Sequence, residues 1–219
     1  MKPVNHMMED IEREVEFTRR LIGKRALDPR VMDAMKSVQR HEFVPDDAQA
    51  YAYENGPLPI GHGQTISQPY IVALMTDLLN PAPEHVVLEV GTGSGYQAAI
   101  LSRLVKQVYS TEIVAPLATA ARERLQRLGY GNVEVRVGDG YHGWVEHAPF
   151  DGIVVTAAAP TIPGPLVEQL KPGGRLVIPV GLPFYHQELM LVEKSEDNEI
   201  HTRDILGVAF VPLTGEHDK

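Results

Sequence analysis

Val86-Val87-Leu88-Glu89-Val90 runs without a break into Gly91-Thr92-Gly93-Ser94-Gly95-Tyr96, and residues 98–104 follow with apolar groups at helical spacing. A short apolar run, a turn of alternating glycines and a helix make a β-α unit whose strand is covered on both faces. Glycine lets the backbone approach a ligand closely, and the helix start brings unpaired N–H groups to the same point. The spacing is G-x-G-x-G, whereas the dinucleotide fingerprint is G-x-G-x-x-G, which disfavours an NAD-dependent oxidoreductase.

Outward from this unit the rhythm repeats. Residues 108–111, 133–137, 152–156 and 175–180 read as further strands. Helical stretches at 115–128 and 166–170 lie between them, the second ended by Lys171-Pro172-Gly173-Gly174. After residue 181 the alternation stops, and 188–193 and 205–211 read as an antiparallel pair with no helix between. On the N-terminal side residues 8–55 look helical. Ile11, Val15, Thr18 and Ile22 fall three or four apart, and Asp28-Pro29 supplies an N-cap and a first-turn proline ahead of 31–38. Residues 56–70 are Gly, Pro and polar with no period, and a loop of that length is usually functional. The expectation is an α/β protein with a Rossmann-like, doubly wound, mostly parallel sheet. An antiparallel strand pair closes its C-terminal end, and extra helices precede it. The chain is read as a single domain over 1–219: N-terminal helices in 1–55, a substrate and cofactor loop at 56–70, a cofactor-binding core at 71–214 and a frayed tail at 215–219.

Composition narrows the functional classes. The 219 residues suffice for one sizeable core and are short for two. With 29 acidic and 20 basic residues the formal charge is −9, which repels phosphate, so no nucleic-acid partner is expected. The absence of Cys excludes disulfides, thiolate nucleophiles, Cys zinc sites and iron–sulfur clusters. The N-terminal stretch lacks the apolar segment of a secretory signal, and the longest apolar runs are strand-sized. A cytoplasmic monomer without a membrane partner is the expectation. His142 and His147 have the wrong spacing for a helical metal pair, so no metal is expected. Thr92 occupies the place a nucleophile elbow reserves for glycine, and Trp144 reads as packing.

Two strand ends flank the glycine turn. Glu112 closes the second strand of the α/β series, where a carboxylate can accept from both hydroxyls of a ribose; a solvated strand end is the blander reading. Gly138-Asp139-Gly140 ends the third, at the edge suited to adenine contacts, although Asp-Gly pairs are also plain turns.

Glu89-Val90-Gly91-Thr92-Gly93-Ser94-Gly95, the acidic end at Glu112 and Leu170-Lys171-Pro172-Gly173-Gly174-Arg175-Leu176 together resemble the motifs of class I S-adenosylmethionine-dependent methyltransferases. The stretch Pro57-Leu58-Pro59-Ile60-Gly61-His62-Gly63-Gln64-Thr65-Ile66-Ser67-Gln68-Pro69 is more specific, and closely resembles the signature of the protein-L-isoaspartate O-methyltransferase family of repair enzymes. The likeness spans about residues 10–214. It implies methyl transfer from S-adenosylmethionine to the free carboxylate of L-isoaspartyl residues in damaged proteins and peptides, less well to D-aspartyl residues, leaving S-adenosylhomocysteine. A carboxylate, with a pKa near ~4, is already nucleophilic at neutral pH. No general base is needed, in keeping with a sequence that shows no catalytic triad.

By the same resemblance Ser67 is the active-site serine, receiving the substrate carboxylate. Its place before the apolar period of Ile71, Leu74, Met75 and Leu78 also suits a plain N-cap. Thr65, Ile66 and Ser67 would face the cofactor, with Gly91, Gly93, Gly95, Glu112, Asp139, Gly140 and Thr214 as the other cofactor-binding residues. Where some members carry a His in the helix after the loop, this chain has Val72, and His62 reads as a solvated loop residue. The alternative is a methyltransferase of another carboxylate or a small-molecule acceptor. Amino-group enzymes often place an Asp/Asn-Pro-Pro-aromatic motif after the fourth strand, where this chain has Thr156-Ala157-Ala158-Ala159-Pro160. A binding module that kept the fold and lost the chemistry is the remaining rival.

Overall fold

The amphipathic start of the chain forms two helices, α1 (Val4–Ile22) and α2 (Pro29–Ser37), in the computed structural model, which describes residues 3–182 and 185–215. Met7, Ile11, Val15, Thr18 and Ile22 are the buried stripe of α1, and Gly23 ends it in a left-handed conformation. Asp28 caps α2 as its position demands, accepting from Arg30 N–H at 2.8 Å. Beyond α2 the chain makes two 3-10 turns at Arg40–Phe43 and Asp46–Tyr51.

The 56–70 segment departs from expectation, because it is not a structureless loop. Leu58–Gly61 (β1) and Gln64–Ile66 (β2) pair as a short antiparallel hairpin. His62, with φ at 53°, and Gly63, at 72°, form its turn. Prolines at 57 and 59 hid the hairpin from pattern reading, since proline counts against a strand everywhere except at an edge. Helix α3 (Pro69–Leu79) follows, with Gln68 at the N-cap position and no side-chain cap. Ser67 therefore does not cap the helix; it stands one residue earlier, between the hairpin and the helix.

The remaining elements are β3 (Val86–Val90), α4 (Tyr96–Ser102), β4 (Gln107–Glu112), α5 (Ala115–Arg127), β5 (Val133–Val137), β6 (Phe150–Val155), α6 (Gly164–Glu168), β7 (Leu170–Gly181), β8 (Gln187–Lys194) and β9 (Ile200–Val208). The seven strands order as β5-β4-β3-β6-β7-β8-β9, parallel up to β7 and antiparallel at β8 and β9. Side chains alternate across the sheet. Val87, Val154 and Val177 enter the cluster under α1–α5, whereas Leu88, Val90, Ile153, Val155, Leu176 and Ile178 enter a second cluster with Phe150, Leu166 and Trp144. Burial on both faces is why these strands read as continuous apolar runs.

Two boundaries moved. Lys171-Pro172-Gly173-Gly174 is a bulge in β7, between the pairs Phe150↔Leu170 and Gly152↔Arg175, rather than a turn ahead of the strand. The last strand spans 200–208 instead of 205–211. Its first five residues are exposed, as at a sheet edge wetted on both faces, so no apolar pattern announces them. From Ala209 the chain leaves the sheet and crosses back to the segment just after β6, where Ala158 donates to Val211 O and accepts from Leu213 N–H, both at 2.8 Å. Of the expected frayed tail only Gly215 lies within the described residues.

Candidate active site

The sheet order reverses direction between β3 and β6, and the crevice above the carboxyl ends of strands at such a point is where nucleotide-like ligands sit in open α/β sheets. Hydrogen bonds knit the three strand ends together. Gly91 N–H donates to Thr111 O at 2.8 Å, Thr156 N–H to Val90 O at 2.9 Å, and Thr156 Oγ1 to Gly91 O at 2.6 Å. Gly91 has φ at 95°, and a Cβ there would run into Thr156 Oγ1, so glycine is required on both counts.

Glu112 is not a solvated strand end. It is 6% exposed, its Oε2 accepts from Gly93 N–H at 2.8 Å and its Oε1 from Val114 N–H at 2.9 Å. Two backbone donors aim the carboxylate, and each oxygen keeps a lone pair for a further donor. The cleft beside it has a cavity volume of about 50 Å³ and is lined by Gln64, Thr65, Gly91, Gly93, Glu112, Gly140, Thr156 and Thr214 among others. Segments far apart in sequence thus converge: the hairpin, the glycine turn, three strand ends and the crossing segment after β9.

A recess continues from this cleft under the hairpin, lined by Thr65, Ile66, Ser67, Val72, Glu89, Gly91, Tyr96, Gln97 and Thr156 among others. Glu89 is fully buried, and burial pushes its carboxyl up to about 8 although the Ser110 hydroxyl, donating to Oε2, pulls the other way. Ser110 in turn pairs with Thr92 Oγ1. A groove of about 470 Å³ runs past Pro57, Thr65, Ser67, Ile71, His186 and residues 207–211. Thr65 and Thr156 line cleft, recess and groove alike, and Ser67 stands where recess and groove meet.

Ser67 is held from behind. Arg40, wholly buried, donates from Nη2 to Ser67 O and from Nε to Ala52 O, each at 2.8 Å, with its guanidinium 4.8 Å from the centre of the Tyr96 ring. The hairpin in turn lies on the glycine turn: a Cβ on Gly93 would sit 3.4 Å from Ile60 Cδ1.

Two residues expected at the site have other neighbours. Gly95, at φ 89°, is turned to α5, where a Cβ would meet Leu125 at 3.2 Å, so its evident task is close helix packing. Asp139 caps the Gly140–His142 turn, accepting from Tyr141 N–H at 2.9 Å, and Gly215 lies against its carboxylate. Trp144 packs in the second core cluster as expected. Sequence reading missed Gln64, Gln97 and Thr156 as lining residues, and Arg40 as the support of Ser67. Thr156 was reachable as the end of a fourth strand; nothing in the local pattern marks Arg40. No cluster of three or more metal-ligating side chains occurs among the described residues, and no helix there is long and apolar enough to cross a membrane.

The family model for protein-L-isoaspartate(D-aspartate) O-methyltransferase (PCMT) matches residues 8–218. Protein-L-isoaspartate O-methyltransferase 2 of Syntrophobacter fumaroxidans is 68% identical over 96% of this chain and 85% of its own length. The protein of the same name from Nitrosococcus oceani is 62% identical over 100% of this chain and 99% of its own. Among solved structures, a protein-L-isoaspartate O-methyltransferase superposes with a TM-score of 0.84 at 28% identity, over 97% of this chain and 66% of that one. A Plasmodium falciparum beta-aspartate methyltransferase (PCMT) in complex with S-adenosyl-L-homocysteine superposes with a TM-score of 0.78 at 26% identity, over 98% of this chain and 99% of that one.

Proposed function

The chain belongs to the protein-L-isoaspartate(D-aspartate) O-methyltransferase family, and on that premise we propose how its own residues divide the work. It is an S-adenosylmethionine-dependent protein carboxyl O-methyltransferase of the protein-repair class, acting on the free carboxylate of L-isoaspartyl residues. When bound, S-adenosylmethionine supplies a methyl group made electrophilic by its sulfonium. The residues present suit that group. Glu112, aimed by two N–H donors, takes the ribose hydroxyls; Gly91, Gly93 and Gly140 line the cleft with backbone; Thr65 and Thr214 line it from the hairpin and the crossing segment. Glu89 has an unpaired oxygen in the recess, fitting it to the amino-acid end.

Ser67 orients the substrate. Its hydroxyl sits where recess and groove meet, so it can donate to one carboxylate oxygen while the other remains free to react. A single hydrogen bond from a neutral donor orients the group without quenching it, whereas a guanidinium at the same point would hold the charge too tightly. The groove strips water from the carboxylate and holds the flanking peptide. The observation that carries this reading is the continuity of cleft, recess and groove through Thr65, Ser67 and Thr156.

The protein works as a single-domain cytoplasmic monomer in this reading, without a nucleic-acid partner, in keeping with a net charge of −9. D-aspartyl residues are the poorer substrates. The deciding experiment offers two peptides that differ only in an aspartyl or L-isoaspartyl linkage, with methyl-labelled S-adenosylmethionine. Base-labile label in the isoaspartyl peptide alone is the expected result. Saturable cofactor binding without transfer to either would point to another acceptor.

A further inference from the structure

Two oxygens in the recess lack a close hydrogen-bond partner among the described residues. Glu89 Oε1 and Gln97 Oε1 are both shut off from solvent, and only the Ala98 backbone N–H bears on the Glu89 carboxyl besides Ser110. Their side chains line the same recess beside Ser67 and Gly91, Glu89 fully buried and Gln97 6% exposed. An unmet buried acceptor carries its whole desolvation penalty, so a pair of them marks a place completed by a donor from outside the chain.

The orientation of the Gln97 amide follows from its neighbour. Thr76 is fully buried, and its hydroxyl donates its single proton to Val72 O at 2.8 Å. Toward Gln97 it can therefore only accept, and it does so from Nε2 at 2.8 Å. With its NH₂ committed to Thr76, Gln97 must leave its carbonyl oxygen as the unmet atom. Gln97 Oε1 is thus an acceptor, and Glu89 Oε1 becomes one when a cation draws off the proton that burial otherwise keeps on the carboxyl. A carboxylate placed there would meet two more acceptors, whereas a group with several N–H donors and a positive charge would satisfy both.

We propose that Gln97 recognises the cofactor, its side-chain oxygen, oriented by Thr76, accepting from the α-ammonium group of the cofactor's amino-acid end beside the Glu89 carboxylate. This rests on the cofactor placement given above. Gln97 makes the direct contact, and Thr76 is a positioning residue that acts through it.

The test is calorimetric titration of the wild type, Gln97→Met and Thr76→Val with S-adenosylhomocysteine and with its desamino analogue, in which hydrogen replaces the amino group. The wild type should prefer the parent compound. Gln97→Met should weaken the parent about tenfold, the size expected for one hydrogen bond to a charged group, and leave the analogue unchanged. Thr76→Val should shift the parent in the same direction by less, because the amide is then free to turn. Thermal unfolding of each variant checks folding, and Thr76→Val carries the test alone if Gln97→Met does not fold. Equal weakening of both compounds would overturn the proposal in favour of a purely structural glutamine. Unchanged parent affinity would overturn it in favour of a buried water between Glu89 and Gln97. If the wild type fails to bind S-adenosylhomocysteine at all, the cofactor placement falls with it; if only the Gln97 variant is silent, that placement stands.

Discussion

At the scale of single residues, the site combines one side chain that handles substrate with several that handle cofactor, and the two kinds should separate in measurement. Ser67→Ala removes one neutral donor and should lower turnover about tenfold while changing the dissociation constant for S-adenosylhomocysteine by less than about twofold. Parallel loss of both would contradict an orienting role. Glu112→Ala should do the reverse, weakening the cofactor by about a hundredfold, since two bonds to a charged acceptor are lost. It also strands Gly93 N–H and Val114 N–H, so its unfolding should be followed alongside. Glu89 gives a pH signature. Its carboxyl is raised from 4.5 to about 8 by burial, so the folded state holds its proton more tightly than the unfolded chain does. The stability it contributes is complete below about pH 4.5 and is lost as pH rises through 8. Glu89→Gln, which cannot ionise, should therefore gain thermal stability relative to the wild type across that window without cofactor. A difference in melting temperature that stays constant from pH 5 to pH 8.5 would remove Glu89 as its cause.

At the scale of elements, the hairpin and the glycine turn are mutually dependent. Ile60 lies over Gly93, and Arg40 reaches from the N-terminal region to hold the carbonyl of Ser67, so the hairpin is clasped from both sides. Gly91 shows how little slack there is. Gly91→Ala would force both a left-handed alanine and a collision with Thr156 Oγ1, whose bond to Gly91 O ties β3 to β6. Chemical denaturation should show a loss of about 2 kcal/mol or more, from strain and a displaced hydrogen bond together. A loss no larger than that of a surface substitution would mean that the strand ends move apart freely.

At the scale of the whole molecule, the cleft is roofed by two segments distant in sequence, the hairpin at 58–66 and the crossing segment at 209–214, and neither belongs to the seven-stranded sheet. Ligand binding should therefore slow amide exchange in both segments together and leave the outer residues of β9, exposed on the far edge, unchanged. Global stability should also rise, by about 2.7 kcal/mol at a hundredfold excess of S-adenosylhomocysteine over its dissociation constant. Protection confined to the strand ends would show that the roof plays no part in holding the ligand.

What the sequence by itself determined is whatever rests on local pattern. The strands buried on both faces announce themselves as apolar runs, Asp28-Pro29 announces the start of α2, and the G-x-G-x-G turn with Glu112 announces a cofactor crevice, because each signal lies within a few residues of its cause. The tertiary structure alone decided what depends on contacts between distant segments. The first residues of β9 are wetted on both faces and carry no pattern, and the 58–66 hairpin is masked by the prolines at 57 and 59. Arg40 supports Ser67 across 27 residues of chain. The amide of Gln97 is turned by Thr76, 21 residues away on a neighbouring helix. In each case the deciding energy is a hydrogen bond or a packing contact closed only once the sheet has brought the partners together, and no periodicity along the chain can encode it.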